Sequence, residues 1–268
     1  MKNKISKFFM FLVLFLVAAF IFYQFFGWHL AVIKYNAKVR DMLSCRQDEI
    51  FKPGEKLVYT LRYMGLPAGK GIICVENIKE YNNRPSYSLN GRLRTSDFIS
   101  LFFEAEGQIR SYMDKEKLHS LCFEEQSQAS GHRKNQKVVT FNQENLFLEV
   151  DGERVVILPD TQDPLSAFYF LRLLDCQKIE EGYEINIKTR KRDRTLFLKL
   201  EGREELNTPF GKIPVIKVFL HLKPVKATSR HEISGFVWFT DNEKRIPVMV
   251  KLKTKAGPAA LLLYDVDL

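Results

Sequence analysis

A mainly β fold is predicted: a single antiparallel β-sandwich or partly closed barrel of about a dozen strands, with one packed helix. Three observations predict it. In EKLVYTLRY (55–63), Leu57, Tyr59, Leu61 and Tyr63 point one way while Lys56, Val58, Thr60 and Arg62 point the other. Strict alternation of this kind is the mark of a half-buried strand. The pattern then recurs between short polar turns for the rest of the chain. One segment breaks it: DTQDPLSAFYFLR (160–172) has a helical period and is apolar on nearly every side.

After the first strand, further strands are expected at 70–76, 86–95, 103–112, 117–125, 137–141, 146–150 and 154–158. Beyond the helix they resume at 183–189, 195–201, 213–222, 233–240, 246–253 and 259–266. Turn residues separate them: Gly-Leu-Pro-Ala-Gly at 65–69, Met-Asp-Lys-Glu at 113–116, Asn-Gln-Glu-Asn at 142–145 and Asp-Gly at 151–152. No linker, repeat or low-complexity tract divides residues 52–268, so they read as one domain.

The helix is expected over 163–174. Asp163 is a good N-cap and Pro164 suits the first helical position. At about 100° per residue, Leu165, Phe168, Tyr169 and Arg172 share a face, and Phe170, Leu173 and Leu174 cover much of the other side. Only Ser166 and Ala167 are small. A helix apolar all round is buried on more than one side; here it would pack against or between sheets, or plug an opening. Arg172 is the anomaly. It snorkels to water, pairs with a strand carboxylate as a clamp, or meets a ligand at the mouth of a cavity.

The chain has 268 residues and a formal charge of +9. Phe8–Trp28 is 21 residues without a charge, long enough as a helix to span a bilayer. It is longer and bulkier than the apolar core of a signal peptide and is read as an uncleaved anchor. Lys2, Lys4 and Lys7 precede it and favour a cytoplasmic N-terminus. The organisation expected is a cytoplasmic N-terminus (1–7), a transmembrane anchor (8–28), a juxtamembrane connector (29–51) and a periplasmic β domain (52–268). Residues 1–44 hold six Lys/Arg and one acid, which leaves the remainder at 35 basic and 31 acidic side chains. That mild excess, interleaved with acids, gives no reason to expect nucleic-acid binding. The basic run Lys188–Arg194 is read as a solvated strand turn. Cys45, Cys74, Cys122 and Cys176 permit three full disulfide connectivities, but none is closely spaced. They read first as small buried hydrophobes.

Three stretches together carry a family resemblance: GEKLVYTLRYMGLPAGKG, QDPLSAFYFLR and WFTDNEKRIPVMVKLKTKAGPAALLL. Gly54, Glu55, Leu57 and Tyr59 open the pattern. Asp163, Pro164, Leu165, Ser166, Tyr169, Leu171 and Arg172 form its helix. Thr208, Pro209 and Gly211, then Trp238, Pro247 and Gly257, close it. In this order the chain resembles domain-of-unknown-function family 3108 over roughly residues 52–268, the helix motif being the most specific part. The resemblance implies an exported, β-rich envelope protein with no established activity. The closing Trp–Pro–Gly hairpin is also similar, at the level of fold, to β-clam carriers of lipids and lipoproteins. The long N-terminal apolar run departs from a simple exported pattern and argues against a freely diffusing shuttle.

No catalytic set is legible. His29, His119, His132, His221 and His231 lie in no nucleophile or metal motif. His119 and Cys122, three apart on a strand, face opposite sides and cannot easily share a metal with His132. Ser166 reads as a packing residue. Glu104 and Glu106 share a strand face and read as a surface pair or a partner for Arg172, with glycosidase-like chemistry the weaker reading. Trp238 alternates with Phe236 and reads as core, or as the wall of an apolar cavity. No cofactor or metal is expected. The function expected is a non-catalytic inner-membrane module that binds a lipid, an acyl chain or an envelope partner. The family-motif residues Asp163, Pro164, Leu165, Ser166, Tyr169 and Arg172, with Trp238, are its candidate ligand mouth. The alternatives are a scaffold subunit of an envelope complex, or an enzyme acting on polysaccharide or lipid.

Overall fold

The structure, a computed structural model, describes residues 50–100, 104–130, 135–189, 192–225 and 232–268. The expected anchor and most of the connector, with Cys45, His29, His132 and His231, lie outside these residues. Among the described residues no helix is long and apolar enough to cross a membrane.

The chain forms β1 (Lys56–Tyr63), β2 (Leu66–Tyr81), β3 (Arg84–Thr95), the short helix α1 (Asp97–Ser100), β4 (Ala105–Asp114), β5 (Ser120–Ala129), β6 (Asn135–Asn142), β7 (Phe147–Val150) and β8 (Glu153–Val156). Helices α2 (Pro164–Phe170) and α3 (Cys176–Glu180) follow. Then come β9 (Tyr183–Thr189), β10 (Arg192–Thr208), β11 (Gly211–Pro224), β12 (Ile233–Thr240), β13 (Pro247–Thr254) and β14 (Gly257–Asp267). All fourteen strands join one antiparallel sheet, in the order β8-β7-β6-β5-β4-β3-β2-β1-β14-β13-β12-β11-β10-β9. The first and last strands pair at its centre, and two meanders run outward from that seam.

A two-sheet sandwich is therefore not what forms. The sheet is not closed either, since β8 and β9 are not ladder partners. Instead the segment after β8 spans the gap. Gln162 makes a parallel bridge to Ile187 of β9, through Gln162 N–H to Asn186 O and Lys188 N–H to Gln162 O, each 2.9 Å. The Lys188 ammonium donates to Val156 O of β8 at 2.6 Å and to Asp193 at 3.0 Å. This corrects the reading of Lys188–Arg194 as a solvated turn: Lys188, Thr189 and Arg194 are buried. Lys188 is buried there because its ammonium finds acceptors on both β8 and the start of β10.

Alternation placed the core well. Leu57, Tyr59, Leu61 and Tyr63 are all buried. The main core gathers inward side chains of both meanders around α2, including Leu89, Phe123, Leu198, Val218 and Val237. Elsewhere the elements depart from expectation. The expected turn at 65–69 shrinks to Met64-Gly65, both at positive φ (50° and 84°), and Leu66–Ala68 already belong to β2. β10 extends well past Glu201, because a bulge between Leu200 and Gly202 breaks the alternation there without ending the strand. The helix expected over 163–174 is not continuous. The α-helix ends at Phe170, a 3₁₀ turn covers Leu171–Leu173, and Leu174 is extended. Asp175 then caps a new helix by accepting from Gln177 N–H at 3.0 Å. A local acceptor for orphan amides thus starts α3, a helix beyond the single one expected over 163–174.

Candidate functional site

Helix α2 lies on the concave side of the sheet and has a polar anchor at each end. At its N-terminus Asp163 is fully buried. Its Oδ1 accepts from the amides of Leu165 (2.7 Å) and Ser166 (3.0 Å). Its Oδ2 accepts from the hydroxyls of Ser111 (2.6 Å) and Ser120. Ser166 completes a capping box by accepting from Asp163 N–H at 3.0 Å. The cap thus serves two purposes: it satisfies the first turn and ties α2 to β4 and β5. Burial pushes the Asp163 carboxyl above its usual range, against the hydrogen bonds that favour the anion. Gln162 adds a further tie, donating to Leu118 O at 2.8 Å.

At the other end Arg172 has a relative exposure of 0 %. Its Nη1 and Nη2 donate to the two oxygens of Glu55, at 2.6 and 2.9 Å. Nη2 also donates to Ile50 O (2.9 Å), and Nε donates to Lys244 O (3.2 Å). The guanidinium lies over the rings of Phe51 (5.6 Å) and Tyr169 (5.5 Å). A charge can be buried when it is paired and its donors are met in this way. Arg172 therefore binds three parts of the chain: the approach to β1, the end of α2 and the β12–β13 turn. Arg245 of that turn donates to Leu174 O as well.

Between the anchors α2 packs through aromatic edges. Tyr169 meets Phe51 at 5.1 Å, Phe51 meets Tyr87 at 4.9 Å, and Phe168 meets Tyr59 at 6.3 Å. Tyr59 donates its hydroxyl to Pro247 O at 2.8 Å. Among the described residues the buried Tyr169 hydroxyl has no hydrogen-bond partner. Burial raises the pKa of both phenols, and both stay protonated.

Asp163, Pro164, Leu165, Ser166, Tyr169 and Arg172 thus come together, whereas Trp238 stands apart. It lies on β12 in a second cluster with Val215 and Met249, and its indole N–H donates to Glu204. Glu104 and Glu106 are exposed, and Glu104 faces Arg94 at 3.5 Å; neither is the partner of Arg172. That partner, Glu55, shares the inward parity of Leu57 and Tyr59, and a carboxylate in that register was the available signal. Ser111 and Ser120 carried none. His119 is buried, with Nδ1 3.2 Å from Asp160. Among the described residues no cluster of His, Cys, Asp and Glu could hold a metal, and Cys74, Cys122 and Cys176 are free thiols.

The fold defines a class: an open, curled, barrel-like antiparallel sheet with a helix lodged in its hollow. A β-barrel-like protein of the DUF1849 domain from Brucella abortus has the same fold, at a TM-score of 0.51 and 12% identity over 80% of this chain and 96% of that one. Two other structures align with lower scores. One is a Parabacteroides distasonis protein provisionally classed as a lipoprotein (TM-score 0.37, 11% identity, 81% of this chain and 98% of that one). The other is a Bacteroides fragilis protein provisionally classed as exported, with a YmcC-like fold (TM-score 0.32, 11% identity, 82% and 99%). No curated protein matches the chain. The profile of the family described as "Protein of unknown function (DUF3108)" matches residues 58–264. The chain belongs to that family.

Proposed function

We propose that the chain is a non-catalytic module of the bacterial cell envelope, acting as a rigid adaptor rather than as an open lipid carrier. One observation carries this reading: α2 occupies the hollow of the sheet and is fixed there at both ends. Leu165, Tyr169, Phe170 and Leu173 are buried in the main core, so an acyl chain entering the hollow would have to displace them. The polar groups that would have to act on a substrate are committed to structure. Asp163 and Ser166 form the cap, and Arg172 is held by Glu55 and backbone carbonyls. The uncharged run Phe8–Trp28 behind Lys2, Lys4 and Lys7 supports an inner-membrane anchor with the β domain on the periplasmic side.

A second reading, a carrier opened by movement of α2, has one observation in its favour. Among the described residues the buried Tyr169 hydroxyl has no hydrogen-bond partner, an uncommon state that a polar ligand group in the hollow would relieve. Hydrogen exchange of the detergent-purified chain, combined with titration of a fluorescent fatty acid, separates the two. The adaptor reading expects α2 amides to exchange only with global unfolding, and no saturable uptake of the probe. Early exchange in α2 with one probe bound per chain would establish the carrier instead.

A further inference from the structure

We propose that the outward face of β10–β13 is a docking surface for an anionic lipid bilayer. Strand alternation defines the face. In β11, Ile216, Val218, Leu220 and Leu222 enter the main core, so Lys217, Phe219 and His221 project from the opposite side. Phe236 and Trp238 alternate likewise with Val237 and Phe239 in β12, and Lys251 alternates with Val250 and Leu252 in β13. The register sets Lys217 beside Trp238, Phe219 beside Phe236, and Phe236 beside Lys251.

These side chains form one continuous surface. Phe219 meets Phe236 at 5.6 Å and Phe236 meets Trp238 at 5.9 Å. The Lys217 ammonium lies over Phe236 (4.7 Å) and Trp238 (5.6 Å), and Lys251 lies over Trp238 from the other strand (5.5 Å). On β10, Phe197 lies under Lys223 at 5.7 Å. Lys199 and Lys253 extend the basic rows and are exposed. Four acids stand on or beside this face, the first being the exposed Glu201, which follows Phe197 and Lys199 along β10. Glu204 accepts from the Trp238 indole, Glu232 faces His221 at 3.0 Å, and Glu184 is opposite Phe197. The five lysines outnumber them.

Half-buried Phe197, Phe219 and Phe236, backed by the buried Trp238 and edged by lysines, suit the headgroup level of a membrane, where the phenyl rings meet the acyl boundary and the ammonium groups meet lipid phosphates. A single-stranded nucleic acid would need free ring faces for stacking, and here lysines already cover those of Phe236 and Trp238. The chain itself also favours a membrane. Phe8–Trp28 can span a bilayer, and a tethered domain meets that surface at high effective concentration. This surface is separate from the hollow, so it does not depend on whether α2 opens.

The test is lysine footprinting of the full-length chain reconstituted in vesicles, by brief acetylation and mass spectrometry. In vesicles containing phosphatidylglycerol, Lys199, Lys217, Lys251 and Lys253 should react several-fold more slowly than in pure phosphatidylcholine. Molar salt should abolish the difference. Lys79 of β2 and Lys117 of the β4–β5 turn, both exposed away from this face, should react alike in both. The double charge reversal Lys217→Glu, Lys251→Glu should remove the protection of Lys199 and Lys253. Equal reactivity in the two vesicles would overturn the proposal. So would protection by a soluble polyanion such as heparin or single-stranded DNA without protection by the anionic vesicles.

Discussion

At the residue scale, two buried charges hold α2, and they differ in what their removal leaves behind. Arg172 and Glu55 are 0 % and 2 % exposed and bind each other through both oxygens. Arg172→Leu strands a carboxylate in the core, and a loss of about 3–5 kcal/mol is expected. Replacing both, Arg172→Leu with Glu55→Leu, should recover much of it; urea unfolding of the three proteins measures this. At the other anchor, Asp163→Ala removes an N-cap, a loss of about 1 kcal/mol. It also leaves the Ser111 and Ser120 hydroxyls without an acceptor, at about 1–3 kcal/mol each if they find no other. Asp163→Asn should be milder, because its oxygen can keep the two amides while its NH₂ donates to the serine oxygens. The variants also differ in pH dependence. The folded-state pKa of Asp163 is raised above its usual 3.8. The folded protein therefore binds the proton more tightly than the unfolded chain. That contribution is complete below the unfolded value and is lost as pH rises through the folded value. Relative to the parent, Asp163→Asn should thus gain stability as pH rises across that window. Parallel unfolding curves at every pH would contradict the assignment.

At the level of elements, most strands were legible because each puts one face in the core and one outside, so hydrophobicity alternates. β9 and β12 begin and end where that pattern does. The signal fails where geometry breaks the alternation. Bulges at Leu200/Gly202 and Val75/Asn77 hide the continuation of β10 and β2. The helix motif revealed the cap and the buried arginine, but not their partners. Ser111 and Ser120 come from strands, and Glu55 from the approach to β1, all distant in sequence, and only the fold brings them to α2. The close approach of β12 and β13 is equally invisible in composition, and it rests on a glycine. A Cβ at Gly235 would lie 2.0 Å from Lys251 O, so the strands cannot keep their spacing around any side chain. Gly235→Ala is expected to destabilise severely or to prevent folding. Gly107 of β4 has no atom within 4 Å of such a Cβ, and Gly107→Ala should be neutral or slightly stabilising. Thermal melts of the two variants give the comparison; similar behaviour would show that β12 and β13 are not held this closely.

For the whole molecule, the sheet consists of two meanders, β1–β8 and β9–β14, joined along the β1–β14 seam. Their far edges are not paired with each other. The approach of the meanders across the hollow depends on α2 and the segment before it: Asp163 binds β4 and β5, Gln162 bridges to β9, and Arg172 grips Glu55 and the β12–β13 turn. The main core draws side chains from both meanders and from α2, so the intact protein should unfold in one step. Calorimetric and van 't Hoff enthalpies should agree, and near- and far-ultraviolet circular dichroism should change together. Releasing α2 at both ends, by Asp163→Ala with Arg172→Leu, leaves the strand ladder in place but unpacks the aromatic cluster of Phe51, Tyr87 and Tyr169. The near-ultraviolet signal should then vanish at a lower temperature than the far-ultraviolet signal, with binding of a hydrophobic dye between the two midpoints. If the double variant instead unfolds in one step with coincident probes, the seam alone couples the meanders, and α2 fills the hollow without holding the halves together.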